Sequence, residues 1–329
     1  MKRDGLADPV PCDWFFEGEL SSTSCHAPIL QGLKTFSTDM NRTTLRESHD
    51  FMSRTFNEQA FNSAFKKYIV QGRFQEIPEY YPRYRSRYRA IIQECAERLD
   101  EQPKSILDIG GGQHALLLKV LYGDKVTVAD LPGPHLEYLR SLGVETVHWN
   151  LCSNEQPFQR RFDLVIFSEV IEHLPIPAHV VFSRIRMALK PRGLVLVTTP
   201  NLSRLRNVVY MMLGKRIYDY FRIESNQGLG HVIEYSADHL RWQLETAGFR
   251  EMEITFRQFH HQPNHLLFRF LSLLGYPLFV VPRFRDQLMV VAASPRDPQV
   301  MKSYPDDEEE ARTTLVVPSD SAKASCAPR

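Results

Sequence analysis

The sequence predicts an α/β protein: a doubly wound, mostly parallel sheet of seven strands with an N-terminal helical segment and a helical, aromatic lid insertion. Three observations predict it. From about residue 100, short aliphatic runs alternate with amphipathic helical stretches, the order that puts helices on both faces of a parallel sheet. The first run, Ser105-Ile-Leu-Asp-Ile-Gly-Gly-Gly-Gln-His-Ala-Leu-Leu-Leu-Lys119, reads as a strand, a tight glycine turn and a helix start. Acidic residues also close successive runs, at Asp130 and at Glu169. In an open sheet of this kind, ligands bind beyond the carboxyl ends of the strands.

Residues 1–50 are polar, without a sustained period, and read as a flexible arm. Residues 51–100 turn helical and aromatic, a cap segment that Pro82 is expected to break in two. Strands follow at Ser105–Ile109, Lys125–Ala129, Thr146–Trp149, Phe162–Phe167 and Leu194–Thr199. Helices fit between them at Ala115–Tyr122, Pro134–Leu142 and Ala178–Leu189. An irregular section, with an amphipathic piece at Leu205–Leu213, precedes a helix at Ala237–Ala247 that Gly248 ends. The last strands are Glu251–Arg257 and Gln287–Ala293. The binding domain is therefore 101–295, with lid insertions at 201–230 and 258–286 and a disordered acidic tail at 296–329.

Composition narrows the class. A formal net charge of +1 gives no global field to favour nucleic acid. Five scattered cysteines without a Cys-x-x-Cys pair suggest a reducing, cytoplasmic setting. No apolar run approaches the roughly 20 residues that span a bilayer. Basic residues beside the apolar stretches 205–220 and 265–285 leave peripheral membrane contact as a secondary expectation to packing as a lid. His260-His-Gln-Pro-Asn-His265 lacks companion ligands at useful spacing, so no metal is expected there. Oligomeric state is not legible.

The glycine turn admits a ligand close to the backbone, and the helix start offers unpaired N–H groups. Asp108, just before the turn, repels a pyrophosphate and welcomes an ammonium, which favours an amino-acid-bearing nucleoside over a dinucleotide. Asp130 can accept both hydroxyls of a ribose; the alternative is a turn or capping aspartate. Asn150 offers an amide to an adenine edge, although asparagine in a loop is also ordinary turn chemistry. Ser168, Glu169, Glu172 and His173 crowd one strand end, suited to proton transfer or substrate orientation, or to capping the next helix.

The ordered motifs Leu107-Asp-Ile-Gly-Gly-Gly112, Val126-Thr-Val-Ala-Asp130, Phe162-Asp-Leu-Val-Ile166, Glu169-Val-Ile-Glu-His-Leu174 and Leu189-Lys-Pro-Arg-Gly-Leu-Val-Leu-Val-Thr-Thr-Pro-Asn201 resemble the class I S-adenosylmethionine-dependent methyltransferases. The resemblance is strongest to the small-molecule branch that includes ubiquinone-biosynthesis O-methyltransferases, and Gly230-His-Val-Ile-Glu-Tyr235 extends it. It covers roughly residues 85–295 and implies a Rossmann-like methyltransferase fold with S-adenosyl-L-methionine as cofactor. Gly110 and Gly112 would pass the methionine moiety, and Asp108 would hold it through the amino group or ordered water. Asp130 would bind the ribose, Asn150 and Leu151 the adenine, and Glu169 would sit near the sulfonium. His114 replaces the family's third loop glycine, so the turn is more crowded and also fits a dinucleotide fingerprint.

The expected reaction is methyl transfer to a small-molecule acceptor, a hydroxyl in the first instance. His173 is the leading base and His231 the second, since imidazole titrates near neutral pH. Two rivals stand beside it: an NAD(P)-dependent oxidoreductase on the same fold, and a catalytically silent methyltransferase-like binding protein.

Overall fold

In the computed structural model, the described residues are 54–74, 76, 79–218, 230–259 and 281–296. The expected arm at 1–50, nearly all of the expected tail, parts of both lid insertions and the histidines at 260–265 lie outside them.

Seven strands form one sheet: β1 (Ser105–Ile109), β2 (Lys125–Asp130), β3 (Glu145–His148), β4 (Phe162–Ser168), β5 (Leu189–Pro200), β6 (Arg250–Arg257) and β7 (Gln287–Ala293). Their spatial order is β3-β2-β1-β4-β5-β7-β6. The first five run parallel, whereas β7 is antiparallel to both β5 and β6. Strand order reverses beside β1, so β1 and β4 diverge at a topological switch point.

The helices are α1 (Glu58–Ala64), α2 (Tyr80–Arg98), α3 (Gln113–Tyr122), α4 (Pro134–Ser141), α5 (Ala178–Ala188), α6 (Leu205–Met212) and α7 (Ala237–Thr246). Alternation along the strands builds two cores, because successive side chains point to opposite faces. Ile106, Leu164, Ile166 and Leu196 join the layer made by α1 to α4. Leu107, Val165, Phe167 and Val197 join the layer that includes α5 and α7. The helical segment before β1 is therefore part of the first core; Phe61, Phe65, Ile91 and Ile92 are buried in it.

Two expectations change in detail. Pro82 does not break the helical segment. It sits in the first turn of α2, where no intrahelical bond requires its missing N–H; the preceding helical stretch has already ended at Val70. β5 starts five residues earlier than expected, because Leu189 pairs with Phe162 before the register shift that leads to Leu164. α6 is amphipathic, with Val209, Met211, Met212 and the following Leu213 exposed; most of the segment expected to pack on it as a lid lies outside the described residues. No described helix is long and apolar enough to cross a membrane.

Below the strands, Arg54 binds both carboxylate oxygens of Asp124, at 2.6 and 2.7 Å, and its guanidinium also donates to the carbonyls of Asp100 and Gln102. Both side chains are buried. This clamp fastens the chain entering α1 to the loops that precede β1 and β2.

Candidate functional site

At the carboxyl end of β1 the chain turns through Gly110, Gly111 and Gly112, all with φ between +76° and +86°. Backbone of that kind is strained for any residue with a Cβ. A Cβ on Gly110 would lie 2.7 Å from Val170, and one on Gly112 would lie 2.7 Å from Leu139 and 2.8 Å from Val128. Gly110 and Gly111 line a cleft of about 210 Å³ at the switch point. Gly112 is occupied instead with packing the turn against β2 and α4.

Asp108 is fully buried, and its Oδ2 accepts from the Ala115 N–H at 2.9 Å. The carboxylate thus caps α3 from inside the fold, where the helix N-terminus stabilises negative charge. Its Oδ1 is buried without a hydrogen-bond partner, so of the two oxygens it is the one left for the ligand contact expected of this residue. His114 is buried against the Tyr88 ring, 5.0 Å between centroids, so the crowding expected at that position is met by stacking.

Asp130 closes β2 at the cleft wall. Its Oδ2 accepts from the Gly111 N–H at 2.9 Å and lies 3.0 Å from His135 Nε2, while Oδ1 accepts from the Leu131 N–H at 2.7 Å. Burial raises its pKa, but the hydrogen bonds from His135, Gly111 and Leu131 outweigh it and leave the carboxyl below its ordinary range.

Glu169 forms the facing wall, with φ of +55° just beyond β4. Its N–H donates to the Thr198 carbonyl at 2.9 Å, and Oε1 accepts from the Thr198 hydroxyl at 2.9 Å. Oε2 accepts from Gln287 at 2.7 Å and from Arg87 of α2 at 2.9 Å. The Arg87 guanidinium lies 4.8 Å from the Tyr84 ring centroid and donates to the Tyr80 hydroxyl at 2.7 Å. Burial disfavours its charge, yet the neighbouring Glu169 raises its pKa further. Arg87, Tyr80, His135 and Gln287 were not among the sequence-derived candidates. Arg87 and Tyr80 stood in an aromatic, basic run legible only as helix.

Behind Glu169 a short 3₁₀ turn, Ile171–His173, presents a second cluster. Glu172 is buried; its Oε2 accepts from the Thr199 hydroxyl at 3.0 Å. Burial, reinforced by Glu169, pushes its pKa well above the ordinary value. His173 Nδ1 lies 2.8 Å from the Gly230 carbonyl, and His231 Nδ1 lies 3.2 Å from Glu234 Oε1. The two imidazoles meet edge to face, 4.9 Å between centroids. Burial lowers the His173 pKa more than its neighbours restore it, which favours the neutral ring. Neither histidine lines the glycine-floored cleft.

Asn150 and Leu151 do not line it either. Asn150 Oδ1 accepts from the Cys152 N–H at 2.9 Å, a local turn, and the Leu151 side chain is buried in the α5–α7 core. Their loop is nonetheless tied to Asp130, whose carbonyl accepts from the Trp149 N–H at 3.3 Å.

A family model described as "Methyltransferase domain" matches residues 80–253, more than half of the chain. The chain belongs to this methyltransferase family. Membership carries the enzyme class and the methyl donor that the motifs imply, S-adenosylmethionine, and leaves the NAD(P)-oxidoreductase alternative without support. A curated relative, the ubiquinone biosynthesis O-methyltransferase of Hydrogenovibrio crunogenus, is 37% identical over 107 residues. That match takes in 30% of this chain and 43% of the relative, so the chain spans less than half the length of the curated relative it matches. Among solved structures, a SAM dependent methyltransferase from Archaeoglobus fulgidus is 15% identical, with TM-score 0.45, over 65% of this chain and 97% of that one. Phosphoethanolamine N-methyltransferase 2 of Haemonchus contortus, in complex with S-adenosyl-L-methionine, is 17% identical, with TM-score 0.43, over 64% and 52%.

Proposed function

We propose that this methyltransferase transfers the methyl group of S-adenosylmethionine to a small-molecule acceptor, through a hydroxyl oxygen. One observation carries the reading: two carboxylates, Asp130 and Glu169, wall a glycine-floored cleft at the sheet's switch point. Such a cleft holds a cationic nucleoside and disfavours a diphosphate. Asp130 binds the ribose, and Asp108 Oδ1 and the Gly110–Gly112 turn receive the methionine end. Glu169 lies near the sulfonium. The loop of Asn150 and Leu151 meets the adenine. The hydroxyl preference draws support from the O-methyltransferase named above.

The donor supplies an activated methyl group. What the protein must add is alignment and exclusion of water, and such positioning is worth roughly 7–11 kcal/mol of barrier. A hydroxyl acceptor must also lose its proton. His173, with His231 second, assists that loss; general base assistance contributes about 10²–10⁴-fold. The Arg87–Glu169 pair keeps the wall near the sulfonium fixed while reducing its net charge.

Calorimetry with S-adenosylhomocysteine and with NADH tests the reading. Binding of the first and not the second is expected; the reverse would overturn it. Labelled-methyl transfer over a panel of hydroxyl metabolites then tests the acceptor class, and cofactor binding without any transfer would favour the silent binding protein.

A further inference from the structure

We propose that the protein has a second ligand site, where Arg160 and Arg186 bind the carboxylate or phosphate of a small organic anion. The two arginines line a cavity of about 460 Å³, within the range of small-molecule pockets. It lies at the opposite end of the sheet from the glycine-floored cleft. Arg160 precedes β4, Leu189 opens β5, and Pro295 follows β7, whose last residue, Ala293, pairs with Leu194.

Charge is what points to an anion. Among the described residues, no carboxylate lines the cavity, and neither arginine side chain has a hydrogen-bond or ion-pair partner. The arginines near them in sequence are engaged: Arg161 pairs with Glu145, and Arg184 donates to Asn154 at 3.1 Å and to the Leu151 carbonyl. Of these four, the two without partners are the two that share the cavity. Arg186 is the more telling. Its Nε is buried with no acceptor, and a Cβ on Gly248 would lie 3.4 Å from that atom, so the residue that ends α7 covers it. Burial with no opposing charge lowers its pKa. A partly desolvated cation of this kind lacks the counter-charge that an anion supplies, and the guanidinium fork matches carboxylate and phosphate oxygens.

The walls of the cavity are held by main-chain hydrogen bonds. The N–H groups of Arg160 and Arg161 donate to the Met187 and Ala188 carbonyls, at 2.8 and 2.9 Å, which fixes the entry to β4 on the end of α5. The Ser294 N–H donates to the Gly193 carbonyl at 2.8 Å, and the Arg192 N–H to the Ser294 carbonyl at 3.1 Å, which fixes the exit from β7 on β5. Arg160 has φ of +46°, left-handed backbone that costs free energy in a residue with a Cβ and persists where the surroundings impose it. The site is thus formed before a ligand arrives.

The rest of the lining defines the ligand further. Met187, Leu189, Pro191 and Pro295 offer apolar surface beside the two cations, so the anion carries an apolar body. Bound there, it bridges the entry to β4, the end of α5 and the exit from β7, and it stabilises the fold by mass action. This site stands apart from methyl transfer and does not depend on it.

Calorimetry on the full chain, at matched ionic strength, compares three probes built on similar apolar bodies: phenyl phosphate, phenylacetate and neutral benzyl alcohol. Each is titrated with and without S-adenosylhomocysteine, which separates this site from the cofactor cleft. An anion should bind at one equivalent in both conditions, and the alcohol should not. The tighter of the two anions shows whether phosphate or carboxylate is the natural group. Arg160→Gln and Arg186→Gln should each weaken anion binding by about 10–100-fold, the effect of losing a hydrogen bond between charged groups. Arg161→Gln, which removes the partner of Glu145, should leave it unchanged. Arg160 is exposed, so its variant keeps the fold even where the Arg186 variant does not. Failure of both anions to bind, equal binding of the alcohol, displacement by S-adenosylhomocysteine, or unweakened binding to Arg160→Gln would overturn the site.

Discussion

At Asp130, three donors meet one carboxylate, so the side chain faces the cleft in a fixed pose before any ligand arrives. Asp130→Asn keeps the shape and removes the charge. Hydrogen bonds to charged groups contribute about 1.5–3 kcal/mol, so S-adenosylhomocysteine should bind roughly 10–100-fold more weakly by calorimetry. Asp286 behaves in the opposite sense. Burial pushes its carboxyl from 3.8 up to about 6, against the pull of Arg204 and the hydrogen bond with Gln258. The folded chain thus holds this proton more tightly than the unfolded chain. The group's contribution to stability is greatest below about pH 4, falls as pH rises, and is at its least above about 6. Asp286→Asn should be more stable than the native protein at pH 8, by about 1–3 kcal/mol in urea melts, and indistinguishable from it near pH 4. Gly110, Asp130 and Glu169 were legible in the sequence because each follows directly from the end of a strand pattern. Arg87 was not, because its meaning depends on a residue 82 positions away that only the packing of α2 brings close.

Among the elements, the turn between β1 and α3 leaves little room for a Cβ. Gly112→Ala would place a methyl group against Val128 and Leu139 in left-handed backbone. Backbone strain of about 1–3 kcal/mol adds to the overpacking, so the melting temperature should fall by several degrees. Gly123→Ala meets open space at a similar φ of +71° and should lose only the backbone part. The strands and helices were readable from their periods, with ends displaced by a residue or two. β5 was the exception, since its early start is set by pairing to Phe162 and not by its own sequence. Pro82 was misread for a related reason. A proline marks a helix start as readily as a break, and its neighbours in three dimensions decide which.

Across the whole molecule, the two ends of the sheet have separate tasks. The carboxyl ends of the strands carry the cleft and the histidine cluster, and the opposite end carries the buried Arg54–Asp124 clamp. Breaking a buried pair from one side costs about 3–5 kcal/mol. Arg54→Ala should therefore lower the melting temperature by roughly 10 °C while S-adenosylhomocysteine affinity in the folded protein stays unchanged. The seven-strand plan was legible in the sequence, because alternation of apolar runs fixes strand count and the glycine turn fixes where a ligand enters. The role of the segment before β1 was less so, since its aromatic pattern does not say which surface it covers. That segment sets the minimal unit able to fold. A truncation starting at residue 101 would remove the layer that shares a core with Ile106 and Leu164 of the sheet and Leu116 of α3, and strip Glu169 of its guanidinium partner. Such a fragment contains every glycine and acid of the cofactor motifs, yet it should precipitate on expression.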